Sequence, residues 1–356
     1  MRYIFNISAK VLLAVAALSF SCSGLAQEKS GRYLPQATQA AAVFPFLQGA
    51  NKEKADEAWQ FYQKNIGHPM TKWADEHVRF AAKGTVLYPF SGPDFVTVSQ
   101  LYPHADRYVM VAMQQAGEPA SLAKMSATRA QNFQSKFLRE WMKFSRLGFF
   151  RTDDLNQDLS DQQAKIGVTT ILITFALYSG YDVNEVYPIA LNPQTGEYVK
   201  TDTGWKSVRL MLSKGGKHVM LDYVSVDLSD SYLGQPDHHA TRVWLERESH
   251  HPVLLKAASH LLQESYFSVL RDMLVANATM VVQDETGLNY TQLAKIGTVD
   301  LYGGFLYPHE LFNRKKQESL AKAYKESKSV KPLPFAFSYN KSSERRSLQI
   351  VRRTSN

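Results

Sequence analysis

From residue 51 to the C-terminus, short runs rich in β-branched and aromatic residues alternate with stretches of helical spacing, and no low-complexity linker interrupts them. A chain patterned this way buries its apolar residues by laying helices against a sheet. The expected fold is therefore α/β, a single domain over 51–356 with a central mixed β-sheet flanked by helices. The spacing predicts helices over 51–66 and 71–82, separated by Gly67-His68-Pro69. A strand over 85–90, a short helix over 95–101 and a strand over 107–113 follow. A long helix over 122–147 carries Phe133, Phe137, Trp141 and Phe144 on one face. Helix and strand compete over 166–178. A strand is expected over 185–191, then a hairpin of 208–212 and 218–226 joined by Ser213-Lys214-Gly215-Gly216. Helices over 252–263, 266–276 and 310–325 are expected, with strands over 279–283, 298–302, 333–339 and 347–351.

The first 26 residues read as a signal peptide: Arg2 and Lys10, an apolar run over 11–20, then small residues. The run is too short to span a bilayer, which needs roughly 20 apolar residues. Cys22, the single cysteine of the chain, stands just beyond it. Two readings remain open. Cleavage before Cys22 makes it the lipid-carrying residue of a lipoprotein, although Ser19-Phe20-Ser21-Cys22 fits a lipobox only loosely. Cleavage after Ala26 discards it. Either way no disulfide and no cysteine-built zinc site is available, so stability rests on core burial. Residues 27–50, polar and alanine-rich with Pro35 and Pro45, read as a flexible tether. The expected location is the periplasm or the outer membrane of a bacterium.

The net charge of +8 is uneven, with +9 falling in the C-terminal end, residues 314–356. Such an end suits an anionic envelope polymer or membrane surface as partner. It equally suits a solvated helix face. Nucleic acid is not expected of an exported chain without a binding motif.

Two turns after predicted strands hold the candidate site residues. In Tyr88-Pro89-Phe90-Ser91-Gly92-Pro93-Asp94, Ser91 and Asp94 have the spacing of a capping box, Ser91 as N-cap and Asp94 three residues on. Gly92 permits a tight turn. The helix start offers amides to an anion, and an outward Asp94 would serve as base or nucleophile. In Gln283-Asp284-Glu285-Thr286-Gly287, adjacent carboxylates follow a strand, where ligand crevices of α/β sheets form. Plain capping and turn roles explain the same residues. Arg151, beside Asp153 and Asp154, is a further candidate for ligand binding, with Ser91, Gly92 and Gln283. Histidines gather at His238, His239, His250, His251 and His260, suggesting metal, but without a zinc-ligand spacing. No G-x-S-x-G elbow or P-loop occurs. No cofactor is called for.

Residues 87–95 with 108–117, 149–154 and 281–290 together resemble a family of exported bacterial proteins, in which the Tyr-Pro-Phe-Ser-Gly-Pro-Asp block and a late Gln-Asp turn recur. The resemblance implies envelope export and a shared fold, and attaches no activity. The expected function is a ligand- or partner-binding envelope protein. The alternatives are an envelope hydrolase using Asp94 with Asp284 or a histidine, and a metal-binding protein using His238, His239, His250 and His251.

Overall fold

The computed structural model describes residues 50–78, 83–119, 126–148, 168–202, 204–310, 317–336, 339, 342 and 344–354. Cys22, the tether up to residue 49, and Arg151 with its neighbours lie outside the described residues.

The chain opens with helix α1 (Ala50–Tyr62), a π-helical turn (Gln63–Gly67) and α2 (His68–His77). The expected break at Gly67-His68-Pro69 is absent. Pro69 falls in the first turn of α2, directly after the π-helical turn, and the helical backbone runs on through it. A Cβ at Gly67 would meet the ends of the Gln63 and Gln100 side chains, which would have to move aside. Next come β1 (Thr85–Pro89), α3 (Phe95–Leu101), β2 (Arg107–Ala112), α4 (Ala127–Leu147) and α5 (Thr169–Tyr178). The contest over 166–178 is thus settled as helix from Thr169 to Tyr178. Strands β3 (Asp182–Leu191), β4 (Tyr198–Lys200), β5 (Ser207–Lys214) and β6 (Lys217–Ser225) follow. Gly215 and Gly216, both left-handed, close the β5–β6 hairpin. The chain continues through α6 (Asp230–Leu233), α7 (His239–Glu248), β7 (Val253–Leu255), a 3-10 segment (Ala257–Gln263), α8 (Ser268–Asn277) and β8 (Met280–Gln283). It closes with α9 (Tyr290–Leu293), β9 (Val299–Gly303), α10 (Glu318–Glu326) and β10 (Ser347–Arg352).

Two expectations fail here. The helix expected over 252–263 is instead β7 and a 3-10 segment. Val253, Leu254 and Leu255 are fully buried and pair with β1 and β8 on either side, a requirement helical spacing does not reveal. The strand expected over 333–339 is absent from its described residues, 333–336 and 339. Pro332 and Pro334 have no N–H to give a ladder, and only Lys331 bridges to Tyr302.

All ten strands form one mixed sheet in the order β4-β3-β5-β6-β2-β1-β7-β8-β10-β9. The central five, from β6 to β8, run parallel. Parallel strands need both faces covered. Val86, Tyr88, Tyr108 and Met110 point to one side, against α1–α5. Leu87, Val109 and Val111 alternate to the other, against α7 and α8. On the first side, Trp141 and Phe144 of α4 stack with Tyr62, Phe175 and Tyr178, and Trp141 Nε1 donates to the Ala55 carbonyl at 2.9 Å. Ser126 caps α4 at its start and left-handed Gly148 ends it. No helix among the described residues is long and apolar enough to cross a membrane.

Candidate functional site

Strand β1 hands the chain through α3 to β2 on one side, while β7 hands it through α8 to β8 on the other. The neighbours β1 and β7 are parallel, so their outgoing loops diverge from the same edge of the sheet. In open α/β sheets that point of divergence is where ligand crevices lie. The loops leaving β1, β7 and β8 all meet there, and each brings a charged side chain.

Asp94 is the N-cap of α3 itself. The expected capping box, with Ser91 as N-cap, is displaced by three residues. Ser91 N–H instead continues the strand pairing to the Val111 carbonyl at 3.0 Å, and Gly92 turns through a left-handed φ of 52°. Residues 90–93 therefore leave the strand as a turn, and helix begins only after Asp94. Asp94 Oδ1 accepts from Thr97 N (3.3 Å) and Thr97 Oγ1 (2.7 Å). Its Oδ2 accepts from Tyr88 OH (3.2 Å) and Lys256 Nζ (2.9 Å). Four donors fill a carboxylate's four acceptor positions. With seven residues and its own carboxylate as cap, α3 is no anion site.

Lys256, the first residue past β7, has no solvent exposure. Its ammonium also donates to Thr97 Oγ1 (2.9 Å) and to the Gly148 carbonyl that ends α4 (2.5 Å). A cation at a helix C-terminus meets the negative end of its dipole. Sequence reading missed Lys256 because the residues around it were assigned to a helix. The usable signal was a single charge interrupting an apolar run that starts at Pro252.

The next residue, Ala257, donates its N–H to Asp284 Oδ2 at 3.0 Å. Asp284 Oδ1 accepts from Thr286 N (2.8 Å) and Thr286 Oγ1 (2.5 Å). Asp94 and Asp284, which the sequence singled out separately, are thus joined through the two consecutive residues Lys256 and Ala257. Gln283 is buried, and its amide clasps both the N–H and the carbonyl of Leu288 at 2.9 Å. It holds the turn instead of facing a ligand. Glu285 accepts from Ser347 Oγ at 3.1 Å, and its carbonyl accepts from Gln317 Nε2 at 2.9 Å. Gln317 Oε1 is buried without a hydrogen-bond partner.

Among the described residues, the non-glycine residues with left-handed φ are Phe90 (55°), Ala257 (55°) and Gln317 (35°). Phe90 follows β1, Ala257 lies just past β7, and Gln317 touches the turn after β8. Such conformations cost about 1–3 kcal/mol each and gather where structure serves function. Burial raises the Tyr88 and Tyr62 hydroxyl pKa well above the usual tyrosine value, with the Asp94 charge adding to it. Both phenols therefore stay protonated.

The histidines do not gather at this site, although His260 adjoins it. His238 stacks on Tyr232 at 3.5 Å, with Nδ1 2.9 Å from the Tyr232 carbonyl. His251 Nε2 is 3.7 Å from Glu248. His260 Nδ1 is 3.4 Å from the Ala257 carbonyl. Among the described residues no group of three or more His, Cys, Asp or Glu is placed to hold a metal ion. In the basic C-terminal end, Lys331 and Arg352 both pair with Asp300. Comparison with protein-family models, curated proteins and solved structures found no match to this chain.

Proposed function

We propose that this chain is an exported protein of the bacterial envelope that binds a ligand or partner segment at the diverging loops of β1, β7 and β8. The observation carrying this reading is the convergence of Asp94, Lys256 and Asp284 at that point of the sheet. Binding is favoured over hydrolysis by how those acids are held. A general base or nucleophile needs an acceptor position turned toward substrate. The acceptor positions of Asp94 are filled by protein donors, and Asp284 is fully buried with three of its own. The acids hold the loops in place, with the left-handed residues Phe90 and Ala257 in those loops and the buried Gln317 amide oxygen unpaired beside the turn after β8.

The test is nuclear magnetic resonance on the exported protein. Backbone amide shifts would be followed while fractions of an envelope extract (muropeptides, oligosaccharides, lipids in micelles) are added. Shifts confined to residues 90–97, 256–260 and 284–288, with the added compound recovered unchanged, are expected. Consumption of the compound would restore the hydrolase reading, and shifts confined to other surfaces would remove this site. Mass spectrometry of the mature N-terminus tests export directly: acylated Cys22 means a lipid anchor, a start at Gln27 a released protein, and an intact Met1 no export.

A further inference from the structure

A cavity lies at the opposite end of the parallel strands. It is a wide, shallow cleft of about 400 Å3, open to solvent over most of its extent. It begins from charges placed inside apolar strands. Arg209 of β5 and Asp222 of β6 are direct cross-strand partners, and Arg107 opens the neighbouring β2. Asp222 has no exposure and accepts from Arg107 Nε (2.8 Å), Arg209 Nε (2.5 Å) and Arg209 Nη2 (2.9 Å). Both guanidinium groups are thereby anchored along one edge. Tyr198 of β4 lays its ring against both, 4.8 Å from Arg107 and 5.0 Å from Arg209. Trp244 Nε1 donates to the Tyr198 hydroxyl at 2.7 Å and fixes the ring.

The last turn of α7 completes the lining with Arg247 and Glu248. Arg247 is half-exposed and donates to the Gly196 carbonyl at 3.1 Å. Glu248 is buried but held loosely. It accepts three long hydrogen bonds from Arg107, at 3.4–3.5 Å, with His251 at 3.7 Å and Arg247 at 3.8 Å. Glu197 stands exposed at the rim. The lining therefore offers guanidinium edges and carboxylates together, around one immobilised aromatic ring. With Asp222 behind it, three arginines face three acids, so the cleft attracts neither a plain anion nor a plain cation from a distance. A ligand carrying both charges gains at both ends.

We propose that this cleft binds a small zwitterion bearing a carboxylate and an ammonium group, such as an amino acid or a short peptide. The carboxylate meets Arg247 and the outer edge of Arg209, for which the guanidinium fork is shaped. The ammonium meets Glu197 and Glu248, with the ligand body against Tyr198. This site shares no residue with the loop junction at β1, β7 and β8.

Three probes test it on the exported protein: the dipeptide Ala-Ala, N-acetyl-Ala-Ala without the ammonium, and Ala-Ala-amide without the carboxylate. Binding is read by calorimetry and by the shift of the Trp244 indole N–H resonance. Ala-Ala is expected to bind at least tenfold more tightly than either blocked form. Arg247→Ala is expected to weaken Ala-Ala at least tenfold while leaving binding of the amide unchanged, with only a small drop in melting temperature from the lost bond to the Gly196 carbonyl. Glu197→Gln, a second exposed position, is expected to weaken Ala-Ala and the amide but not the N-acetyl form. Equal binding of Ala-Ala and a blocked form overturns the proposal, as does binding that neither variant alters, or no Trp244 shift with any probe at millimolar concentration.

Discussion

The loop junction at the carboxyl ends of β1, β7 and β8 and the arginine cleft at the amino end of β2 both set acids against bases, yet they hold their charges differently. At the junction Asp94 and Asp284 accept seven hydrogen bonds between them, at 2.5–3.3 Å, all from protein donors. Its cation, Lys256, is wholly buried. In the cleft Asp222 is held as firmly, but Glu248 is met only at 3.4 Å or more and Arg247 faces outward. Saturated charges fix a backbone in place. Loosely held ones remain available to a ligand.

Breaking the junction pair gives the largest effect. Lys256→Met leaves the Asp94 charge and the Gly148 carbonyl buried without the ammonium, and Asp94→Asn leaves that ammonium buried against a neutral group. Each is expected to destabilise by about 3–5 kcal/mol in urea unfolding. The double variant is expected to cost clearly less than the two single losses together, because both charges leave at once. Additive losses would mean that the pair is not coupled.

Asp284→Ala comes next. It orphans the Ala257 N–H and both donors of Thr286, each within a buried turn. A loss of about 2–3 kcal/mol is expected, since unsatisfied buried donors cost 1–3 kcal/mol. A loss below 1 kcal/mol would show that the turn after β8 stands without its carboxylate.

Ala257→Gly has the opposite sign. Ala257 holds a φ of 55°, where an L-residue pays about 1–2 kcal/mol and glycine does not. Glycine's greater freedom when unfolded returns part of this, so a net gain of up to about 1 kcal/mol is expected. If the strain serves ligand binding, the same change weakens binding while raising the melting temperature. That divergence separates functional strain from incidental strain.

Much of the architecture was legible in the sequence. The aromatic spacing from Phe133 to Phe144, the Gly215-Gly216 hairpin and the two strand-end turns each carry their structure locally. Asp94 and Asp284 could be picked out because strand ends in α/β sheets are where loops gather. Lys256 could not, for two reasons. A three-residue strand is too short to show a period, and the partner that gives Lys256 its meaning lies 162 residues away. The cleft left a fainter trace: one arginine and one aspartate, each alone within an apolar strand, in the two arms of one hairpin. Opposite charges at such positions imply cross-strand pairing on a buried face. The ring of Tyr198 and the helix end that enclose them come from other parts of the chain.

The smallest expected effect is a change in how stability varies with pH, and it probes the loose side of the comparison. Burial raises the pKa of Glu248 above the usual 4.5, opposed by the Arg107 and Arg247 charges. The native state therefore takes up this proton at a higher pH than the unfolded chain does. Between 4.5 and the folded value the native state binds more protons, so stability falls as pH rises through that window. His251 works in the other direction. Burial, with Arg107 nearby, lowers its pKa below 6.5, so the native state binds fewer protons and stability is lost as pH falls below 6.5. In the wild-type protein the two slopes oppose each other over the pH range where they overlap. Glu248→Gln preserves the shape and hydrogen-bonding capacity while removing one slope. Unfolding measured from pH 4 to 8 is then expected to show a steeper loss of stability on acidification below 6.5 than the wild type. His251→Asn is expected to show the reverse, a gain on acidification toward 4.5. Parallel profiles for all three proteins would mean that burial shifts neither group, and would remove the contrast between a saturated Asp222 and a weakly held Glu248.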